Sequence, residues 1–329
     1  MKTFFKIVGI IVLAVLALAA IGVSWLALRK PAQREAVAEK VEPTPERIAR
    51  GKYLVHHVSI CLDCHSERTY QYGLPFKPGR DGVGGFIWDA KIGFPGTLAA
   101  ANLTPDPETG LGNWTDGEIL RAMREGVNRE GKALFPIMPY SHLRNMSDED
   151  AKSIVAYLRT LKPQRYEEPK KALNVPLNFV EKFVPKPIEG TVNAPAKSDH
   201  LAYGKYLTTI ALCSECHASK DDKNQIIAGR EFAGGWVMHT PEFVVVPPNI
   251  TPHPATYIGQ ATKEEFIARF RAFANFTSDT APQAPNGKNT LMPWISYSGL
   301  TDEDLGAIYD YLKSLPPVEN KVNPWPDAG

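Results

Sequence analysis

Cysteine is scarce. The chain of 329 residues holds four, and all four fall in two short motifs, Cys61-Leu62-Asp63-Cys64-His65 and Cys213-Ser214-Glu215-Cys216-His217. None is left for a structural disulfide, and none lies near the end of the N-terminal apolar segment, which excludes anchoring through a lipid-modified cysteine. Net charge is nearly absent as well. At +1, with no cluster of Lys and Arg, the chain lacks the basic excess that phosphate-backbone binding needs, so nucleic acid is excluded as a partner. Strand signal is thin. Phe243-Val244-Val245-Val246 is the one clear β-branched run, and it stops at Pro247-Pro248, which reads as a loop or edge segment.

Charge is missing altogether from Ile7 to Leu28. At 1.5 Å per helical residue that run is about 33 Å long, enough to cross the hydrocarbon core of a bilayer. Lys2 and Lys6 precede it and Ala17-Leu18-Ala19 could serve a signal peptidase, but the apolar stretch continues past that point and is longer than a signal core, so we expect an uncleaved anchor over residues 1–30. Trp25 falls where the outer interface would be. Arg29, Lys30 and Arg34 on the far side balance Lys2 and Lys6, so flanking charge does not set the orientation. Residues 31–46, rich in Ala, Glu and Pro, read as a short polar stalk.

The remainder is one text written twice. Gly51-Lys52-Tyr53-Leu54 returns as Gly204-Lys205-Tyr206-Leu207, and in each copy there follow Cys-x-x-Cys-His, a glycine pair, Asn-x-Thr-Pro (Asn102 to Pro105, Asn249 to Pro252) and Met-Pro-aromatic (Met138-Pro139-Tyr140, Met292-Pro293-Trp294). Each copy closes on a helix with its start written in, Ser147-Asp148-Glu149-Asp150 and Thr301-Asp302-Glu303-Asp304, followed by apolar stripes through Ile154, Tyr157, Leu158, Leu161 and Ile308, Tyr311, Leu312, Leu315. A period of about 150 residues is too long for a solenoid and indicates tandem domains. We therefore expect domains over residues 47–163 and 200–316, a proline-rich connector over 164–199 and a tail over 317–329. Gly51 should face Tyr157, and Gly204 should face Tyr311, where first and last helices cross.

On a helix, positions i, i+3 and i+4 share a face, so Cys61, Cys64 and His65, and likewise Cys213, Cys216 and His217, can all address one flat ligand. That is the requirement of haem c: two thiols add across the vinyl groups and the imidazole takes the iron. A thioredoxin-type dithiol needs a βαβ setting that this sequence lacks, and a zinc site would have to join two motifs about 150 residues apart and leave both histidines unused. Two covalent haems are therefore expected. Haem c is attached outside the cytoplasm in bacteria, which would put the N-terminus inside and the body outside the inner membrane, in the periplasm. For the far side of each iron the repeat singles out Met138 and Met292, which lie 73 and 75 residues after their histidines and share the following proline. Met146 aligns with Leu300 ahead of a helix cap and reads as a packing residue, as does Met123, while Met238, aligned with Trp88, reads as a haem-pocket or core residue. His56, His57, His142, His200, His239 and His253 lack counterparts in the other copy and read as surface or supporting groups. Asn102, Thr104, Asn249 and Thr251 suit either haem propionates or Asx-type turns.

This order of motifs resembles class I c-type cytochrome domains over nearly all the chain beyond the anchor. Asn102-Leu103-Thr104-Pro105-Asp106-Pro107-Glu108-Thr109-Gly110 followed by Trp114-Thr115-Asp116, and the connector around Val175-Pro176-Leu177-Asn178, resemble the cytochrome c subunit of membrane-bound alcohol and aldehyde dehydrogenases. The resemblance implies a mainly α fold of short helices and long loops around haem, and electron transfer without bond-making chemistry. Redox partners would be a dehydrogenase or quinol-oxidising complex as donor and a terminal acceptor, within a larger membrane complex. An electron-entry subunit of a terminal oxidase is the alternative. A di-haem peroxidase would need one iron to lose its distal ligand, and two equivalent methionines speak against it.

Overall fold

The computed structural model describes residues 1–222, 224–240 and 242–326. Helix α1 (Lys2–Leu28) buries none of its residues and ends where Arg29 turns away. Residues 31–44 then lie along the first half of the body. Gln33 donates to the Gly131 carbonyl, Arg34 pairs with the buried Glu125, Lys152 pairs with Glu39, and the Val41 amide donates to Asp116.

The first half runs α2 (Pro45–Tyr53), α3 (Cys61–His65), α4 (Asp116–Glu125), α5 (Tyr140–Leu143) and α6 (Asp148–Leu158); α7 (Leu177–Val180) lies in the connector. The second half runs α8 (His200–Ile210), α9 (Cys213–His217), α10 (Tyr257–Gln260), α11 (Lys263–Arg271), α12 (Trp294–Tyr297) and α13 (Asp302–Ser314). Strands are short. β1 (Ile87–Trp88), β2 (Gly96–Ala99) and β3 (Ala172–Leu173) form one antiparallel sheet, and β4 (Met238–His239) pairs with β5 (Val244–Val245) inside the valine run.

Caps fix where the helices start. Ser147 and Thr301 accept from the amides of Asp150 and Asp304, both at 3.1 Å, while Thr115 with Glu118 and Thr262 with Glu265 form complete capping boxes. Such a cap is worth about 1 kcal/mol. The closing helices turn Ile154, Leu158, Ile308 and Leu312 inward, and Met146 and Leu300 are both buried just ahead of the caps, as their alignment implied.

First and last helices cross at the expected glycines. A Cβ on Gly51 would lie 1.8 Å from the Ser153 carbonyl oxygen and 2.8 Å from the Tyr157 Cβ; on Gly204 it would lie 2.0 Å from that of Ala307 and 2.8 Å from the Tyr311 Cβ. Backbone meets backbone here, so no side-chain rotamer relieves the contact. The copies differ in the run from the first helix into the motif. From glycine to first cysteine is ten residues in the first half and nine in the second, and the extra residue is absorbed as a π-helical turn, Leu54–Val58, where α8 runs on as regular α-helix.

The halves also grip each other reciprocally. The Tyr53 hydroxyl donates to Asp304 at 2.6 Å and accepts from the Thr301 amide at 3.1 Å. Tyr206 donates to Asp150 at 2.6 Å and accepts from the Ser147 amide at 3.1 Å. The first helix of each half thus caps the last helix of the other, a pseudo-twofold arrangement within one chain. Burial and the adjacent carboxylates raise both tyrosines well above their ordinary value, so both stay protonated donors.

Gly51→Ala and Gly204→Ala should each cost about 3 kcal/mol or more, since overpacking against backbone has no cheap relaxation. Tyr53→Phe leaves the buried Asp304 short of a donor and should cost about 1–3 kcal/mol. Guanidinium unfolding followed by far-UV circular dichroism reads both, with exposed Tyr70→Phe as the unperturbed control.

Candidate functional site: two matched Cys-x-x-Cys-His centres

Both motifs form a single helical turn, α3 and α9, each entered through a residue in the left-handed region: Ile60 at φ 44°, ψ 42° and Leu212 at φ 60°, ψ 24°. Neither is glycine, and strain of this kind in bulky residues persists only where the surroundings over-determine it. The carbonyls of Ile60 and Leu212 accept from the amides of Asp63 and Glu215, which closes the turn and brings the two cysteines and the histidine of each motif onto one face.

All four thiols are free. Burial pushes Cys61 and Cys213 up to about 12 and Cys64 and Cys216 up to about 11. A redox dithiol or a zinc thiolate needs the opposite shift. Among the described residues no group of three or more His, Cys, Asp or Glu side chains is arranged to hold a metal ion.

The histidines are oriented in the same way. His65 Nδ1 lies 2.6 Å from the Ala101 carbonyl oxygen and His217 Nδ1 lies 2.8 Å from that of Pro248. A carbonyl only accepts, so Nδ1 carries the proton and Nε2 presents a lone pair. Burial lowers both imidazoles below their ordinary value, partly offset by these carbonyls, which keeps them neutral. This is how a metal-ligating histidine is held.

Ala101 and Pro248 each stand immediately before an Asn-x-Thr-Pro element, and that explains the element. Asn102 Oδ1 accepts from the Thr104 amide and hydroxyl at 2.9 and 2.8 Å, and Asn249 Oδ1 accepts from Thr251 at the same two distances. Their amides donate to the carbonyls of Gln164 and Val318, beyond each closing helix. The same buried Asx turn is thus formed in both halves.

Met138 and Met292 are half-buried against the core, each two residues ahead of an amide (Tyr140, Trp294) that bonds back to the methionine carbonyl at 2.8 and 2.7 Å. The Met-Pro-aromatic elements thus make the same turn in both halves, leading into α5 and α12. Met123 is buried, and Met238 lies in β4.

The two motifs face each other across the interface. Asp63 accepts from Ser296, and its counterpart Glu215 pairs with His142, the residue aligned with Ser296, at 3.1 Å. Cys216 contributes to the raised pKa of Cys64, and the buried Tyr297 feels Asp63, Cys213 and Cys216 together. His57, on the π-turn, reaches the Ser296 carbonyl at 2.8 Å, and His56 pairs with Tyr157 at 2.6 Å. Desolvation, with His57 and Lys52 nearby, lowers His56 to about 4, so it is neutral. His200 lies near Asp310 on the surface, and His253 accepts from the Ala255 amide.

Sequence reasoning missed the Ala101 and Pro248 carbonyls, the strained Ile60 and Leu212, and the interface role of His142. For the first two a signal existed: both pairs occupy equivalent places in the repeat.

Comparison with known proteins agrees with this geometry. The family model described as Cytochrome c matches residues 201–316. The fructose dehydrogenase cytochrome subunit of Gluconobacter japonicus is 29% identical over 300 residues, which covers 85% of this chain and 56% of that protein. The cytochrome c subunit of the quinone-type alcohol dehydrogenase of Gluconacetobacter polyoxogenes is 28% identical over 300 residues, covering 86% of this chain and 59% of its own. The chain therefore spans less than two thirds of these two relatives. A protein named diheme cytochrome c-type from Cereibacter sphaeroides is 28% identical over 232 residues, 68% of this chain and 73% of that one.

Asn102→Ala and Asn249→Ala should each lower stability by about 1–3 kcal/mol by stranding buried amides and carbonyls, while Asn113→Ala, whose bond is exposed, should change it by less than about 0.5 kcal/mol. Guanidinium midpoints at constant slope decide it.

Proposed function

We propose that this chain, which is similar to cytochrome c subunits of dehydrogenases, is a c-type cytochrome and a membrane-anchored, periplasmic di-haem electron carrier. It consists of two tandem class I domains, residues 47–163 and 200–316. Cys61 and Cys64, and Cys213 and Cys216, form the thioethers; His65 and His217 are the proximal ligands and Met138 and Met292 the distal ones. Its donor is a dehydrogenase or quinol-oxidising complex, its acceptor a terminal acceptor protein, and it makes and breaks no substrate bond.

The observation that carries this reading is the duplicated imidazole geometry: in each half a neutral histidine, buried at His217 and half-buried at His65, is fixed by the carbonyl ahead of an identical Asx turn, with Nε2 free. Haem iron, when bound, supplies one-electron chemistry. The chain does the rest. The carbonyls of Ala101 and Pro248 raise the basicity of the imidazoles and fix their planes. The cysteines tether the group where the core is too small to hold it by packing alone. A methionine thioether favours the reduced metal and raises the potential. The reciprocal Tyr–Asp contacts and the facing motifs join the two centres across one interface.

Met138→Ala and Met292→Ala should each remove one Met-to-iron absorption band and lower the potential of one centre by a fraction of the roughly 0.8 V range that axial ligands command. Redox titration reads this, and an unchanged spectrum in both variants removes the distal assignment. The wild-type protein should show no appreciable turnover of hydrogen peroxide.

A further inference from the structure

Between the two halves, the connector makes an unexpected approach to the end of α1. Lys182 donates from Nζ to the carbonyls of Leu26 and Ala27 at 3.0 and 2.7 Å. These belong to the last turn of α1, where carbonyls lack intrahelical partners, so the connector caps the helix from outside. Phe183 lies 6.5 Å from the Trp25 ring, centroid to centroid, and the Arg29 guanidinium sits over both, 4.3 Å from Phe183 and 5.0 Å from Trp25.

This contact carries depth information. The apolar stretch of α1 is just long enough to span a hydrocarbon core, so its last turn, with Trp25, belongs at the membrane–water boundary. Phe183 is at the same level. Around it the connector leaves apolar side chains uncovered: Val175 is 73% exposed, Val180 50% and Phe183 47%. Val180 and Phe183 are three residues apart in a continuous turn of α7 and the 3-10 turn Glu181–Phe183, so they share a face. Arg29, over Phe183, and Lys182, over Phe179 and bonded to the end of α1, supply the cations beside that face. An apolar strip rimmed with cations at the mouth of a spanning helix matches the boundary between acyl chains and anionic headgroups.

The geometry points to a second membrane contact: the connector turn, through Val180 and Phe183, inserts into the interfacial layer beside α1. It rests on the membrane-anchored reading above. With residues 31–44 pinned along the first half, the cytochrome body is then held against the bilayer at two places, and the segment after α1 is no free tether.

The test uses the full-length protein, haem-loaded and reconstituted in phosphatidylcholine vesicles containing phosphatidylglycerol. Nitroxide labels are placed singly through Leu16→Cys, Val180→Cys, Phe183→Cys and Ile227→Cys, and power-saturation spectroscopy compares collision with oxygen, which partitions into lipid, against a water-soluble nickel chelate. Ile227 is exposed in the second half and serves as the aqueous reference; an unchanged haem spectrum certifies the fold of each variant. Labels at 180 and 183 should show an oxygen-to-nickel ratio several-fold above that at 227. Ratios equal to that at 227, with the label at 16 firmly in lipid, overturn this inference and leave the anchor standing. A water-exposed label at 16 overturns the anchor itself and this contact with it.

Discussion

Everything in this molecule depends on a backbone-to-backbone helix crossing that occurs twice. Gly51 against Ser153 and Gly204 against Ala307 approach more closely than any Cβ would permit. With two helices locked in that way, each half has one rigid corner and otherwise mostly loop. The loops run from fixed points: the strained entry to each Cys-x-x-Cys-His turn, the Asx turn that presents a carbonyl to the histidine, and the Met-Pro-aromatic turn leading into α5 or α12. A prosthetic group bonded to the chain answers the shortage of core in a way that packing could not.

Duplication adds a second level of constraint. Because both halves carry a tyrosine two residues after the crossing glycine and an aspartate at the third position of the closing helix, they satisfy each other: Tyr53 with Asp304, Tyr206 with Asp150. The same operation sets Asp63 against Ser296 and Glu215 against His142. The interface repeats like that of a symmetric dimer, yet each side is free to vary. The extra residue in the first half, taken up as a π-turn that delivers His57 to the interface, is one such variation.

Much of this was legible in the sequence. The repeat, the capped closing helices, the glycine crossings and the buried role of Met146 follow from local patterns with a fixed period. What stayed hidden was of three kinds. Backbone groups have no letter, so the carbonyls of Ala101 and Pro248 could be found only through the turns that hold them. Contacts such as Tyr53 with Asp304 join residues 251 positions apart, and neither residue type is unusual on its own. Composition misled as well: a stretch rich in Ala, Glu and Pro suggests a solvated stalk, while Arg34 and Val41 in fact find partners on the first half.

The central claim is that each of the two equivalent centres holds its own covalently bound haem. The pyridine haemochrome assay on protein quantified by amino-acid analysis, after acid–acetone extraction to remove any loose haem, measures it directly. Two haems of c type per chain are expected, with one remaining when either pair of cysteines is replaced. A value of one in the intact protein, or loss of the signal on extraction, would contradict it.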